Sequence, residues 1–183
     1  LIGADVIHSF WILALTGKTD TVPSQTNIAW LQTARPGVYQ GQCAEYCGVQ
    51  HAHMGLEVVA QPPAAFEAWR LDQLRPAPAP PDVLALAGRA VFIARCGACH
   101  TVQGVDTETN TARALAAGGV PGPDLTHLMA RSNLAADTVP NTVGGLAGWI
   151  GDPQALKPGA RMPTTYLSGP ELSAVVHYLE TLQ

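Results

Sequence analysis

A proline-rich segment divides the chain into two parts. Residues 75–82 read RPAPAPPD, and four of these eight residues are proline. Proline has no backbone N–H and a fixed φ, so such a segment favours a stiff, extended spacer over a helix or a sheet interior. The chain of 183 residues is therefore predicted to fold as two small domains, residues 1–74 and residues 83–183, joined by a linker at residues 75–82.

The residues before the linker have the pattern of a β-domain. The segments ADVIHSFWILAL (4–15), GVYQGQ (37–42) and GLEVVA (55–60) are rich in β-branched and aromatic residues, which favour strands. A short amphipathic helix that begins with proline is predicted at 63–74. The expected fold of this part is a small all-β sandwich closed by a helix.

The residues after the linker change to a helical period. Helices are predicted at 82–96, at 146–153 and at 169–183, where the last of them places its leucines and valines on one face. The stretch 103–124 is predicted to be rich in loops. The expected fold of this part is all-α.

Composition limits the partners of the chain. It has 10 Lys and Arg against 14 Asp and Glu, and no run of basic residues that would bind a nucleic-acid backbone. Only 13% of the residues are charged and 47% are hydrophobic, which indicates burial against a partner or near a membrane. No apolar run reaches the roughly 18 residues of a membrane-spanning helix. The opening LIGADVIHSFW reads as a strand already in progress, so the chain is expected to begin inside a domain.

The stretch QCAEYCGVQHAHM, residues 42–54, holds an unusual density of metal ligands. Cys43, Cys47, His51 and Met54 offer thiolate, imidazole and thioether groups, which suit copper better than a hard cation. Zinc accepts cysteine and histidine but has little use for methionine, and a blue-copper site uses a single cysteine. Two thiolates can instead bridge two copper ions, each completed by one histidine and one weak axial ligand.

A binuclear site needs a second histidine, and His8 in DVIHSF is the candidate. With it, the stretch from Ala4 to Met54 resembles the CuA domain of cytochrome c oxidase subunit II, in which a DVxHSF strand precedes GQCxExCGxxHxxM. The resemblance implies a cupredoxin-like Greek-key sandwich that is N-terminally incomplete here. An edge or a core face of this β-domain is therefore expected to be exposed.

The same resemblance implies the copper ligands. Two cysteines bridge both ions, a histidine and the methionine complete one ion, and the other histidine and a backbone carbonyl complete the second. In that order the residues are Cys43, Cys47, His8, Met54, His51 and Glu45. The Glu45 side chain is further implied to point toward a magnesium site shared with subunit I.

A second cysteine pair carries the c-type haem attachment sequence. RCGACH at 95–100 contains C-x-x-C-H. Cys96 and Cys99 are expected to form thioethers with the haem vinyl groups, and His100 is expected to ligate the iron from one side. The histidine beside each cysteine pair favours cofactor binding over disulfides.

The second axial ligand of the iron has four candidates, namely Met129, Met162, His127 and His177. The segment KPGARMP, residues 157–163, resembles the methionine loop of small class I cytochromes c and favours Met162. A thioether ligand raises the reduction potential of the haem.

The resemblance to class I cytochromes c extends to the haem surroundings. GPDLT matches the loop whose proline, here Pro123, braces the ligating imidazole. LAGWIGDP places Trp149 where that family has a tryptophan near a haem propionate. Core packing is the other explanation for Trp149, and the two are compatible.

The whole chain resembles the extramembrane part of subunit II of a caa-type oxidase, in which a cytochrome c follows the CuA domain. The implied route runs from haem c to CuA and on to haem a of subunit I, where oxygen is reduced to water and protons are pumped. Fusion raises the effective concentration of the donor. The implied location is the outer, periplasmic face of the bacterial plasma membrane, anchored by transmembrane helices that this sequence lacks. The implied partners are subunit I, other oxidase subunits and an external cytochrome c or other donor.

Three other functions account for some of these motifs. The electron-entry region of a nitrous oxide reductase also combines CuA with haem c, but it has tryptophan where this chain has Glu45. A copper-binding chaperone or sensor explains the soft ligands and leaves the haem motif without a use. A soluble, diffusing two-centre electron carrier is the third alternative, and a transmembrane hairpin upstream in the parent gene would count against it.

Overall fold

The computed structural model describes residues 1–105, 112, 116 and 122–183. These residues form a mainly β N-terminal part and a mainly helical C-terminal part, so the predicted fold class is confirmed. Most of the predicted loop at 103–124 lies outside the described residues. Within the described part of the chain, no helix combines the length and the apolar character needed to cross a membrane.

The N-terminal part is built on four strands, β1 (His8–Trp11), β2 (Thr19–Thr21), β3 (Gly37–Cys43) and β4 (Gly55–Ala60). They form one antiparallel sheet in the spatial order β2–β1–β3–β4. Phe10 of β1 pairs with Cys43 at the end of β3, so the opening strand lies beside the start of the ligand-rich stretch. The ligand-rich stretch connects β3 to β4, so both ends of this stretch are anchored in the sheet.

Strand β1 is shorter than the predicted strand at 4–15. The backbone amides of Leu15 and Thr16 both donate to the carbonyl of Ile12, at 2.8 and 2.9 Å. These bonds make a turn directly after Trp11 and end the extended backbone there.

Apolar side chains remain exposed on this part of the molecule. Val38 and Val59, which pair across β3 and β4, are 55% and 53% exposed. Helix α1 (Pro63–Asp72) forms where a helix was predicted but buries none of its side chains. An exposed apolar face agrees with the expectation for the β-domain.

The first residues of the proline-rich linker contact the helical part. The amide of Ala77 donates to the carbonyl of Gln103 at 3.0 Å, and Ala77 packs against the helical core. A ring nitrogen of His127 lies 3.1 Å from the carbonyl oxygen of Arg75. The first residues of the linker are thus held on the domain that follows it.

Among its described residues, the C-terminal part includes four helices, a short hairpin and a 3-10 turn. Helix α2 begins after Asp82, whose carboxylate accepts a hydrogen bond from the Ala85 amide at 2.8 Å. Ser168 and Glu171 form a capping box at the start of the last helix. The elements are α2 (Val83–Arg95), α3 (Val143–Gly151), α4 (Pro153–Leu156), α5 (Gly169–Leu179), β5 (Asn133–Leu134), β6 (Val139–Pro140) and a 3-10 helix at Leu128–Ala130.

Helices α2 and α5 pack closely around a glycine. The rings of Phe92 in α2 and Tyr178 in α5 lie 5.8 Å apart, and both side chains are fully buried. A Cβ atom at Gly88 would lie only 1.9 Å from the carbonyl oxygen of Ala174. The absence of a side chain at this position therefore sets the distance between the two helices.

Replacing Gly88 with alanine is expected to destabilise the helical domain by about 1–3 kcal/mol, because the methyl group forces α2 and α5 apart. This loss outweighs the roughly 0.5–1 kcal/mol that alanine contributes inside a helix. The control is Gly144→Ala in α3, where no atom lies within 4 Å of the added Cβ. Denaturant unfolding measures both variants, and equal stability of Gly88→Ala and the parent would contradict the packing argument.

The hairpin between β5 and β6 has an unusual turn. Ala135, Ala136 and Asp137 all have positive φ, at 55°, 56° and 64°. Left-handed backbone costs about 1–2 kcal/mol for each such residue. Leu134 and Val139 on either side are buried in the helical core, so the flanking strands hold the turn in this shape.

Candidate copper and haem sites

The sheet brings three of the predicted copper ligands together. The Sγ atoms of Cys43 and Cys47 lie 3.8 Å apart, and Nδ1 of His8 lies 3.9 Å from Cys43 Sγ. Among the described residues, these three form a group whose ligand atoms all lie within 4.8 Å of one another. His8 reaches the cysteines because β1 pairs with the end of β3.

The other predicted ligands come from the β3–β4 connection itself. Nδ1 of His51 lies 3.7 Å from Cys47 Sγ, and Sδ of Met54 lies 3.2 Å from the same sulfur. The carbonyl oxygen of Glu45 lies 3.3 Å from Cys43 Sγ. Each sulfur thus has its own imidazole and one weaker donor nearby. Thiolate, imidazole and thioether groups are donors for soft metal ions, and copper is the metal that such ligands favour.

Backbone hydrogen bonds hold the ends of this connection in place. The Cys43 amide donates to the carbonyl of Met54 at 3.2 Å, which brings the end of the connection back to its start. The His51 amide donates to the carbonyl of Gly48 at 3.0 Å. Gly48 has a φ of 124°, where a residue with a side chain would be strained.

The two cysteine thiols differ in acidity. Burial raises the pKa of Cys43, but hydrogen bonds with the backbone and with the two imidazole rings outweigh burial and lower it to about 6. Burial and the neighbouring Cys43 raise the pKa of Cys47. At neutral pH the pair therefore retains one thiol proton, which metal binding must displace.

Asp5 positions the His8 ring. Its Oδ1 lies 2.7 Å from Nε2 of His8, while the other ring nitrogen faces Cys43. The hydrogen bond to Asp5 raises the pKa of His8 more than burial lowers it. A carboxylate on the far side of a metal-binding imidazole fixes the ring orientation and the tautomer.

Replacing Asp5 with asparagine is expected to lower copper affinity about 10–100-fold while leaving the fold intact, because the ring loses its orienting carboxylate. Competition against a copper chelator measures this change. Glu67→Gln on exposed helix α1 is the matched control for the loss of one negative charge. Equal affinity of Asp5→Asn and the parent would show that Asp5 has no such role.

The Glu45 side chain is partly exposed and lies beside Lys18. Its Oε2 lies 3.5 Å from Nζ of Lys18, and both side chains are about half exposed. The backbone carbonyl and the side chain of Glu45 thus face different surroundings.

The C-x-x-C-H motif continues directly from α2. The amides of Cys99 and His100 both donate to the Cys96 carbonyl at 2.9 Å, which keeps the motif in a helical turn. Nδ1 of His100 lies 2.8 Å from the carbonyl oxygen of Pro123 and donates its proton to it. Burial lowers the pKa of His100, so the ring is neutral and Nε2 remains available to a metal.

Gly122 makes room for the His100 ring. A Cβ atom at this position would lie 2.3 Å from Cε1 of His100. The Gly122 amide donates to the carbonyl of Cys99 at 2.7 Å, so the glycine backbone is fixed against the motif. The loop around Pro123 therefore positions the ring from two sides.

One large cavity is shared by the predicted haem residues. Its volume is about 2190 Å³, and its lining includes Cys96, Cys99, His100, Trp149 and Met162. Large apolar side chains of the helical core, among them Phe92 and Leu128, line it too. A cavity with two thiols, a free imidazole nitrogen, a thioether and apolar walls fits a covalently bound haem.

The Met162 segment is held by one glutamine. Nε2 of Gln154 donates to the carbonyls of Ala160 and Met162, at 2.8 and 3.0 Å. Oε1 of the same side chain accepts from the Gly159 amide at 3.0 Å. This pattern orders the backbone just before the methionine.

The other candidates for the second axial position have partners elsewhere. Each ring nitrogen of His127 lies within 3.1 Å of a backbone carbonyl oxygen. Nε2 of His177 lies 2.9 Å from the Asp82 carboxylate, and Met129, unlike Met162, is not among the residues that line the cavity with His100. Met162 is therefore the candidate that the contacts favour.

Three positioning residues were not singled out from the sequence. Asp5 stands three residues before His8 in the sequence, and this short spacing could have indicated that the two side chains contact each other. Gly122 precedes Pro123 in a loop that was already implicated. The role of Gln154 could not be predicted, because no neighbouring residue in the sequence indicates that its side chain turns toward the Met162 loop.

Two family models match the chain. The model of the periplasmic domain of cytochrome c oxidase subunit II matches residues 1–61, and the model of cytochrome c matches residues 85–183. The second match covers more than half of the chain. These two domain types indicate copper and haem c as cofactors.

Similar proteins carry the same description. A cytochrome c oxidase subunit 2 of Alkalihalophilus pseudofirmus is 38% identical over 98% of this chain and 49% of its own length. A protein of the same name from Bacillus sp. strain PS3 is 35% identical over 100% of this chain and 52% of its own length. The chain thus spans about half the length of these relatives.

A solved structure is similar to part of the chain. It is the periplasmic domain of subunit II of cytochrome oxidase (CoxB) of Bradyrhizobium japonicum, at 36% identity over 39% of this chain and 52% of that chain, with a TM-score of 0.38. By the family model that covers residues 85–183, the chain belongs to the cytochrome c family, and its residues 1–61 match the periplasmic domain of cytochrome c oxidase subunit II.

Proposed function

We propose that the chain is the electron-transfer region of subunit II of a haem–copper oxidase. Electrons would pass from its haem c to a binuclear CuA centre and on to haem a of subunit I, where oxygen is reduced to water and protons are pumped. When bound, the copper pair and the haem each supply a one-electron carrier. The observation that carries this proposal is that one chain holds both donor sets and that one cavity is lined by His8, Cys47 and Met54 of the first set and by the cysteines, the histidine and the methionine of the second.

For copper, the proposed ligands are the six residues named from the sequence. Cys43 and Cys47 would bridge both ions, His8 and Met54 would complete one, and His51 and the Glu45 carbonyl would complete the other. The similar distances of the two imidazole rings from the two sulfurs, 3.9 and 3.7 Å, support a symmetric pair of ions. A single ion would leave part of this donor set unused.

For haem, Cys96 and Cys99 would form the thioethers, and His100 and Met162 would be the axial ligands. The hydrogen bond from Nδ1 of His100 to the Pro123 carbonyl supports ligation through Nε2. Trp149 lines the same cavity, which is consistent with contact to the haem. The hydrogen bonds of Gln154 hold the methionine segment in one conformation.

We propose domains at 1–74 and 83–183, joined by a linker at 75–82. The linker would keep the haem domain near the copper domain and so raise the effective concentration of the donor. Its attachment at Ala77 shortens the part of the linker that is free to move.

We further propose how the chain functions in the intact complex. The Glu45 carboxylate would contribute to a magnesium site at the boundary with subunit I, where a cation would compete with Lys18. The chain would lie on the outer face of the bacterial plasma membrane, anchored by transmembrane helices of the parent protein. An external cytochrome c or another donor would reduce the haem.

Pulsed photoreduction of the copper- and haem-loaded chain tests this function. A short light pulse reduces the haem through a dye, and the absorbance of haem and copper is then followed. Haem oxidation should match copper reduction in amount, at a rate independent of protein concentration. A haem that stays reduced, or a rate proportional to concentration, would overturn the proposal.

A further inference from the structure

The left-handed turn Ala135–Asp137 of the helical domain contacts the copper domain. The carbonyl oxygen of Ala136 accepts a hydrogen bond from the amide of Gly55 at 3.1 Å. Gly55 directly follows Met54, the last proposed copper ligand. The strained turn is therefore bonded to the end of the copper-ligand loop, which we define as residues 43–55.

The fit between the turn and Gly55 is steric as well as polar. A Cβ atom at Gly55 would lie 2.8 Å from Cβ of Asp137 and 3.2 Å from the carbonyl oxygen of Ala136. Both of these atoms are fixed by the backbone and cannot rotate away. Only glycine allows this approach of the two domains without a shift of the turn.

Side chains on both flanks support the turn. Asn133 donates through Nδ2 to Asp137 within the hairpin, at 2.5 Å, and to Glu57 of the copper domain, at 3.3 Å. Nζ of Lys157 donates to the carbonyl of Ala135 at 3.0 Å, and this lysine is only 9% exposed. A buried lysine thus links the turn to the segment that leads to Met162.

That segment makes a second contact with the copper-ligand loop. Nε2 of Gln50 donates to the carbonyl of Pro158. A Cβ atom at Gly159 would lie 3.1 Å from Nε2 of Gln50 and 3.3 Å from Cγ1 of Val49. The two contacts lie on either side of His51 and Met54, because Gln50 precedes the first and Gly55 follows the second.

We propose that the Ala135–Asp137 turn and the Lys157–Gly159 segment dock the haem domain onto the copper-ligand loop in one fixed orientation. This inference rests on the proposed function and names its positioning residues. With both cofactors bound, this orientation would let one electron pass from a reduced haem to the copper ions, with no bond broken and no proton moved. The domains need not separate and redock between transfers.

Fixed docking and a charge-steered encounter of the two domains predict different dependences of electron transfer on salt. The Gly55–Ala136 and Gln50–Pro158 bonds join neutral groups. Encounters steered by charge weaken as salt rises, whereas neutral hydrogen bonds and steric fit depend little on it. Transfer in the parent chain is therefore expected to be insensitive to both salt and viscosity.

The test introduces a methyl group at the contact through Gly55→Ala. With copper and haem fully loaded, hydrogen exchange of the residue-55 amide should accelerate at least about tenfold, because the bond to Ala136 is lost. After pulsed photoreduction, transfer from haem to copper should slow at least about tenfold and become dependent on viscosity. Metal analysis confirms that the copper content is unchanged.

Matched variants separate docking from a local effect on β4. Gly37→Ala places a methyl group in the same strand pair, where the nearest atom is 3.9 Å away, and should change neither readout. Adding Asp137→Gly to Gly55→Ala removes the opposing Cβ and should restore slow exchange and fast transfer. Lys157→Met lies outside the copper-ligand loop and should shift both readouts in the same direction as Gly55→Ala.

Unchanged exchange of the residue-55 amide in Gly55→Ala and unchanged transfer in Lys157→Met would overturn the docking proposal. Failure of the proposed function looks different. In that case the parent chain transfers no electron from haem to copper, and hydrogen exchange alone decides whether the domains dock as described.

Discussion

A Cys47→Ser variant is expected to hold one copper ion per haem or none, where the parent chain holds about two. The hydroxyl of serine is a hard, weakly acidic donor and does not replace a bridging thiolate. Nδ1 of His51 and Sδ of Met54 lie 3.7 and 3.2 Å from this sulfur, so the metal ions proposed for these two residues lose a shared ligand. Haem attachment should be unaffected, because Cys96 and Cys99 belong to the other domain.

Copper and haem analysis of the purified variant measures this outcome, with Tyr46→Phe as the control. Tyr46 lies between the two cysteines, is exposed and packs its ring edge-on against His51, at 5.6 Å between centroids. Removing its hydroxyl keeps the ring and all proposed ligands, so the copper content should remain at the parent level. Two copper ions retained in Cys47→Ser would refute the bridging role of this cysteine.

Gly122→Ala is expected to disrupt the haem site with the largest effect of any glycine substitution near it. The new Cβ would lie 2.3 Å from Cε1 and 2.6 Å from Nδ1 of His100. Because the Gly122 amide is bonded to the Cys99 carbonyl, the ring must move instead of the loop. The hydrogen bond from Nδ1 to the Pro123 carbonyl is then lost together with the ring orientation.

The expected result is a haem without stable histidine ligation and a helical domain destabilised by about 1–3 kcal/mol. The visible absorption spectrum reports ligation, and thermal unfolding reports stability. Gly169→Ala at the start of α5 adds a methyl group with no atom within 4 Å and serves as the control. A normal haem spectrum together with parent-like stability would show that the Gly122 backbone does not confine the ring.

Local spacing explains how much of the copper cluster was predictable. Cys43, Cys47, His51 and Met54 lie within one β3–β4 connection, so any compact path of that connection brings them near each other. His8 is 35 residues away from Cys43, and its position depends on the pairing of β1 with β3. Only the family resemblance anticipated that long-range pairing.

Tertiary contacts explain what was missed. The predicted strand at 4–15 ends at Trp11 because the following amides turn back to the Ile12 carbonyl, a bond that alternation of residue types does not reveal. The turn Ala135–Asp137 contains no glycine, the usual signal of left-handed backbone. The shape of this turn is imposed by the buried residues on both sides. No residue pattern in the sequence therefore indicated the docking contact between this turn and Gly55.

The most direct test of the proposed relay is metal and haem analysis combined with electron paramagnetic resonance of the oxidised protein. The account predicts about two copper ions per haem and a seven-line copper signal, because one unpaired electron is shared by two equivalent copper nuclei. One copper ion with a four-line signal, or zinc in its place, would contradict the binuclear centre and the electron transfer proposed for it.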